Sequence, residues 1–366
     1  MGTRSKQRYA YEPDTVFPPG ETLAEWLDER DMTQAELAAR TGLSAKHVNQ
    51  IVKGAAPITT ETALGLERVT GIPAHLWNSL EMSYRSHLTC RAEQERLADD
   101  AEWLEQLPVG ELVKRRRIER RAAVAERVIE ICTFFGVANP AAWRNMWQQP
   151  DAAYRASQSY VKDPGAVAAW LRIGEIEATK IDCAPFSKSA LLAVVDELRG
   201  LTNESDPGTW VRTAQALCAS AGVAFVVEQE IARTRLNGAT RWLSPSKALV
   251  QISTRHKRHD ISWFTLFHEI GHVLLHSKKG TFINDGEEQK AGGVEKEADA
   301  YAQQVLIPRE HEATLGTLHT NEDVERFATA IGIAPGIVVG RLQYMGWWKH
   351  SEGNDLRWPF DWPPKP

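Results

Sequence analysis

Two histidines four residues apart, His268 and His272, enclose a glutamate in the segment HEIGH. On a helix, positions i and i+4 leave the same face, so both imidazoles can share one metal ion. Glu269 leaves that face at a different angle, which suits it to reach a water on the ion without ligating the ion itself. Zinc in such a site lowers the pKa of that water toward about 7, and the glutamate takes the proton as the oxygen attacks a carbonyl. The chemistry expected is hydrolysis of an amide bond, with Zn2+ as cofactor and Glu269 as general base.

A catalytic zinc requires three protein ligands and one open position. The long HExxHxxGxxH pattern fails, because Leu275 and Lys278 stand at its glycine and histidine positions. His276 lies eight residues beyond His268, about 12 Å along a helix, and reads as a helix-end residue. The segment EKEADAYA offers carboxylates instead. Glu295 opens it, and Asp299 follows four residues later on the same face. That pair supplies one oxygen for the metal and one acceptor for the free N–H of a ligand histidine. Glu297 is the rival ligand. It sits about 200° around the helix from Glu295, so the two cannot both face the ion. Arg255, His256 and His259, just ahead of the first helix, are candidates for stabilising a transition state, against a plain reading as surface charge.

FTLFHEIGHVLLH followed by EKEADAYAQQVLIP resembles the ImmA/IrrE family of metallopeptidases. That family shows HExxH, then E-x-x-A-(N/D)-x-(F/Y)-A and a hydrophobic stretch ending in proline, matched here by Glu295, Ala298, Asp299, Tyr301, Ala302 and Pro308. The resemblance extends over about residues 200–345. It implies that His268, His272 and Glu295 are the ligands and Glu269 the base. The succession of an HExxH helix and an ExxxD helix is also similar to the thermolysin-like arrangement, which implies that Asp299 partners His268.

A second constellation lies near the other end of the chain. MTQAELAARTGLSAKHVNQIVKG has the layout of a helix-turn-helix: Gln34 opens one helix, small Ala38 sits at a helix crossing, and Gly42 supplies the turn. Leu37, Leu43, Val48 and Ile51 form its buried face. Ser44 can cap the second helix, which would enter a major groove with Lys46, Asn49, Gln50 and Lys53 outward. Asn and Gln suit adenine edges, and Lys suits guanine or phosphate. The segment from Phe17 to Glu81 resembles HigA-like antitoxins, a branch of the Cro/XRE-type regulators. The resemblance implies a homodimer that binds double-stranded operator DNA and can hold a toxin partner.

The remaining pattern must position these two sites. LAEWLDER, QAELAART, SAKHVNQIVKG, TETALGLERVTG and PAHLWNSLEMSYR are short helical stretches, stopped by Gly42, Gly54 and Gly71. EQERLADDAEWLEQLP stays helical, and the basic run KRRRIERR reads as a solvated helix face rather than a binding patch. VAFVVEQ and KALVQIS are β-rich. The expected architecture is multidomain and mainly α. A five-helix bundle spans 1–85, a helical connector 86–200, an α+β zincin-like (gluzincin) domain with a small sheet 201–345, and a Trp/Pro-rich tail 346–366.

Composition narrows the setting. The four cysteines lie far apart with no CxxC spacing, as expected of a reducing cytoplasm. The polar N-terminus lacks a secretory apolar stretch, and no run approaches the roughly 18 apolar residues of a membrane span. The net charge of −5 gives no global attraction to nucleic acid. Residues 1–80 carry eight basic and ten acidic side chains, so operator binding would lean on dimerisation or an induced state. The expected function is a DNA-binding transcriptional regulator whose zinc endopeptidase-like domain hydrolyses a regulatory protein. The alternative is an antitoxin or repressor whose metal domain is a non-catalytic sensor or protein-binding surface.

Overall fold

A computed structural model describes residues 16–148, 163–278, 282–284 and 293–362. The N-terminal arm expected over 1–19 falls mostly outside them. The chain divides into two compact units, with the division after Asp99.

The first unit is the five-helix bundle: α1 (Pro19–Asp28), α2 (Gln34–Thr41), α3 (Ala45–Val52), α4 (Thr60–Thr70) and α5 (Ala74–Leu97). Its helix-turn-helix is set by local chemistry. Thr33 and Glu36 close a reciprocal capping box at the start of α2. Gly42 ends that helix at φ 77°, a conformation that costs a residue with a Cβ atom. The Ser44 hydroxyl then accepts the His47 N–H and starts α3. Leu23, Leu37, Val48, Ile51, Leu66 and Trp77 are buried between the helices, each aliphatic side chain contributing about 1.5–3 kcal/mol. Leu43 is only partly buried. Helix α5 runs without interruption past Arg85, the point where the sequence suggested a boundary. Its outer half is largely exposed and carries the i,i+4 pair Arg91–Glu95, which supports a helix that packs little there, whereas buried Glu81 pairs with Arg85 in the inner half.

The second unit is built on a four-stranded sheet of order β1-β3-β2-β4. The strands are β1 (Val223–Glu228), β2 (Gly238–Ser244), β3 (Lys247–Ser253) and β4 (Phe282–Asn284). β1 is parallel to β3, whereas β2 is antiparallel to both of its neighbours. Among the described residues this unit has eight longer helices: α6 (Val124–Phe135), α7 (Pro164–Thr179), α8 (Lys188–Gly200), α9 (Pro207–Ser220), α10 (His259–Leu275), α11 (Gly293–Leu306), α12 (Asn321–Ile331) and α13 (Pro335–Tyr344). Strand alternation gives the sheet two apolar faces. Phe225, Val250 and Ile252 pack with Trp210 of α9 and Trp263 and Leu266 of α10. Ala224, Val226 and Leu249 meet Ala178 of α7 on the other face. There Gly174 lies directly against the Gln251 amide, which donates to the Trp170 carbonyl at 2.9 Å.

The basic run does not form a solvated face throughout. Arg115 bonds Glu228 at 3.1 Å and Glu111 at 2.8 Å, while Arg117 bonds Glu228 at 2.9 Å and also Glu177. Glu228 ends β1 and is buried, which raises its carboxyl pKa against the pull of the two guanidinium groups. A buried carboxylate at a strand end requires such partners. Two arginines of the run therefore tie the chain near residue 115 to the sheet.

Candidate metal centre

Helix α10 is buried around almost its whole circumference, enclosed by sheet and helices, so its polar side chains must find partners inside the fold. Phe267, Val273 and Leu274 are buried, whereas Leu275, at the last turn, is exposed. Helix α11 runs antiparallel to α10, pairing His272 with Glu295 and His268 with Asp299. Close approach of the two helices is possible because Gly271 faces Ala298: even a methyl on Gly271 would come within 3.2 Å of the Ala298 Cα.

This crossing brings three donor atoms together. His268 Nε2 and His272 Nε2 are 3.0 Å apart, and Glu295 Oε2 lies 3.2 Å from the first and 3.4 Å from the second. A tetrahedral zinc ion with bonds of about 2.0–2.1 Å has ligand atoms roughly 3.4 Å apart, so this cluster has nearly the right spacing to close on one ion. Two imidazoles and one carboxylate are the donor set of a catalytic zinc that keeps a fourth position open. Asp299 Oδ1 stands 2.7 Å from His268 Nδ1, where it can accept that histidine's outer proton. Burial works against charge on His268, yet the bonds to Asp299 and Glu295 raise its pKa to about 10. Burial likewise opposes the Glu295 carboxylate, but the two histidines hold it at about 2. A cation bound at this cluster would balance the same carboxylates.

Glu269 is completely buried. Its Oε2 accepts the Thr240 hydroxyl at 2.6 Å, and its Oε1 has no hydrogen-bond partner. Burial raises the Glu269 carboxyl pKa to about 8. Two residues of β2 make room for it. Thr240 and Gly238 face α10 from the same side of the strand, and a Cβ on Gly238 would overlap Glu269 Oε1. Sequence reading missed both residues, because GATRWLS carries only a weak strand signal.

Glu297 does not reach the cluster. It bonds His276 Nε2 at 3.1 Å, and its side chain is 66% exposed. His276 in turn places Nδ1 2.9 Å from His272 Nδ1. The three suggested transition-state groups lie elsewhere. Arg255 donates to the Arg235 carbonyl at 2.6 Å, and His256 bonds Asn237 at 3.1 Å. His259 is buried beside Trp263, nine residues and about 13 Å along the helix from His268. One turn before His268, Phe264 helps to line a cavity of about 210 Å3 between α10, α11 and α13, which Leu306, Ile337 and Arg341 also border.

In the first unit, Lys46, Gln50 and Lys53 are exposed along and just beyond α3. Asn49 and Gln34 are half-buried and bonded to each other at 3.1 Å. Ser44 is exposed, with its oxygen already accepting the His47 N–H as the cap of α3. Among the described residues no helix is long and apolar enough to cross a membrane.

A helix-turn-helix bundle and a metallopeptidase-like α+β unit together define a DNA-binding type of regulator with a peptidase-like domain. Residues 23–77 match the helix-turn-helix family model, and residues 233–343 match that of the IrrE N-terminal-like domain. The second match encloses Gly238, Thr240 and the entire histidine–carboxylate cluster. Among solved structures, the chain is similar to an addiction module antidote protein of a HigA family from Coxiella burnetii, with 29% identity over 23% of this chain and 94% of that one, and a TM-score of 0.22. It is similar to the Pseudomonas aeruginosa antitoxin HigA, solved with the higBA promoter, with 31% identity over 22% of this chain and 90% of that one, and a TM-score of 0.22. A further Pseudomonas aeruginosa protein, in complex with its operator DNA, shares 29% identity over 24% of this chain and 98% of that one, at a TM-score of 0.22. No curated protein matches the chain.

Proposed function

We propose that this chain is a cytoplasmic DNA-binding regulator whose second unit is a zinc-dependent endopeptidase acting on a regulatory protein. The observation that carries this reading is Glu269. A buried carboxylate with one unpartnered oxygen, beside two imidazoles and a second carboxylate at ion-sharing distances, is costly to maintain for packing alone. His268, His272 and Glu295 would hold the ion, and Asp299 would keep His268 in the tautomer that presents Nε2. Zinc bound there would supply Lewis-acid activation of water and of the scissile carbonyl. Glu269 would accept the proton of the attacking water on its free oxygen and return it to the leaving amine nitrogen. Thr240 would hold the other carboxylate oxygen throughout, so the side chain need not reorient between the two transfers.

The first unit would bind operator DNA as a homodimer. Lys46, Gln50 and Lys53 would contact bases and phosphates, with Ser44 at the start of α3, while the bonded pair Asn49 and Gln34 would present a preformed amide edge. The excess of acidic over basic side chains in residues 1–80 supports binding that depends on two copies.

The test compares wild type with Glu269→Gln and Glu295→Ala. About one zinc per chain is expected in the first two and loss of it in the third. New protein N-termini should appear in cells expressing wild type and be absent with Glu269→Gln. Zinc in wild type without any Glu269-dependent cleavage would sink the peptidase reading and leave a metal-bearing repressor or antitoxin.

A further inference from the structure

We propose that His276 and Glu297 are positioning residues for the metal ligand His272, forming a relay that ends on helix α11 as the His268–Asp299 contact does. This rests on the metal-binding reading above. His272 Nε2 points into the cluster, 3.0 Å from His268 Nε2 and 3.4 Å from Glu295 Oε2. An ion there uses the lone pair on Nε2, and the neutral ring then carries its proton on Nδ1. That N–H requires an acceptor, and the atom 2.9 Å away is His276 Nδ1. It can accept only without a proton of its own, which places the His276 proton on Nε2. Nε2 is 3.1 Å from Glu297 Oε2, an acceptor. One assignment of tautomers satisfies every contact in the chain.

The result is a symmetrical support. His268 passes its outer N–H directly to Asp299, and His272 passes its own through His276 to Glu297. Both carboxylates stand on the helix that supplies the ligand Glu295, at alternate positions of EKEAD. The residues that spacing alone would dismiss, a helix-end histidine and a surplus glutamate, are thereby given a common task. Phe282 of β4 stacks on the His272 ring at 4.5 Å and covers His276 at 5.4 Å, and the His276 side chain is 8% exposed. A hydrogen bond shielded in this way orients its ring more firmly than one open to water.

The experiment measures zinc affinity of the full chain by competition with a chromophoric chelator. The variants are His276→Ala, Glu297→Ala, Glu297→Gln and the double alanine. Loss of an outer support of a metal histidine weakens binding about 10–100-fold, and this is expected for His276→Ala. Glu297→Ala should weaken binding less, and Glu297→Gln should recover most of that loss, since its amide oxygen still accepts. The double variant should be no weaker than His276→Ala, because Glu297 acts through His276. Variants that bind zinc as wild type does, or losses that simply add, overturn the relay while leaving the metal site intact. Absence of zinc binding by wild type overturns the metal reading itself. Thermal melting of the zinc-free proteins identifies any variant that is merely misfolded, and Glu297, being exposed, supplies the variant least exposed to that fault.

Discussion

The Thr240 hydroxyl lies 2.6 Å from Glu269 Oε2 and 3.0 Å from the Glu269 carbonyl, so one side chain of β2 grips both the carboxylate and the backbone of the candidate base. A hydroxyl has one proton, and the shorter contact marks the carboxylate as its acceptor. Thr240→Val removes the proton at nearly constant volume. The bond that opposes the effect of burial disappears, so Glu269 holds its own proton to higher pH. The acidic limb of the hydrolysis profile should move to higher pH with zinc content unchanged. A limb that stays in place would mean that the hydroxyl has no influence on the base.

Gly238→Ala tests the same cradle by volume. The glycine has an ordinary negative or extended φ, so alanine meets no backbone strain there. It meets the Glu269 carboxylate instead. Displacement of a reacting group by about 1 Å can cost 10²-fold in rate. The expected variant binds zinc normally and hydrolyses substrate at a small fraction of the wild-type rate. Full activity would show that Glu269 has room the structure does not reveal.

His259 predicts a pH dependence of stability away from the metal. Burial lowers its pKa to about 4, against the pull of the Glu204 carbonyl, and its Nε2 accepts the Trp263 indole N–H at 2.9 Å. The folded value lies below the unfolded 6.5, so between pH 6.5 and about 4 the unfolded chain binds more protons. Stability from this residue is present above pH 6.5 and is lost as pH falls through that window, by up to about 1.4 kcal/mol per pH unit. Urea unfolding of His259→Gln should show a flatter dependence between pH 6.5 and 4 than wild type. Parallel curves would assign the acid sensitivity to other groups.

For the first unit, substitutions on α3 should separate two kinds of contact. Gln50→Ala, at an exposed position, is expected to relax preference at one base pair and to cost about 1–3 kcal/mol on the best operator. Lys46→Ala should weaken all sequences alike and reduce the slope of log K against log salt by about one. Electrophoretic mobility at several salt concentrations reads both. Equal behaviour of the two variants would remove Gln50 from direct base contact.

Much of this was legible because the decisive patterns are local. A histidine pair on one helix, a serine that caps the next helix, and a glycine at a left-handed turn each act within a few residues. Glu295 and Asp299 could be read because a helix repeats its faces every four residues. What escaped was set across long stretches of chain. GATRWLS becomes a strand because β3 and β4 pair with it on either side, and its own residues press weakly toward that state. Gly238 and Thr240 then meet Glu269 about thirty residues away, a contact no periodicity announces. The basic run misled for a related reason: Arg115 and Arg117 find Glu228 only after β1 is in place.

The covering of both sheet faces decides where the protein can be cut. Ala224, Val226 and Leu249 are roofed by α7, and Arg115 and Arg117 fasten an earlier stretch to the end of β1. A fragment beginning at residue 201 would bare an oily face and leave Glu228 without its cations, and one beginning at the edge of the family match would lose β1 altogether. Such a fragment would be prone to clump in expression trials. One beginning at Asp100 keeps its own roof and its own counter-charges, and is the piece to excise for titrating metal without the DNA-binding half.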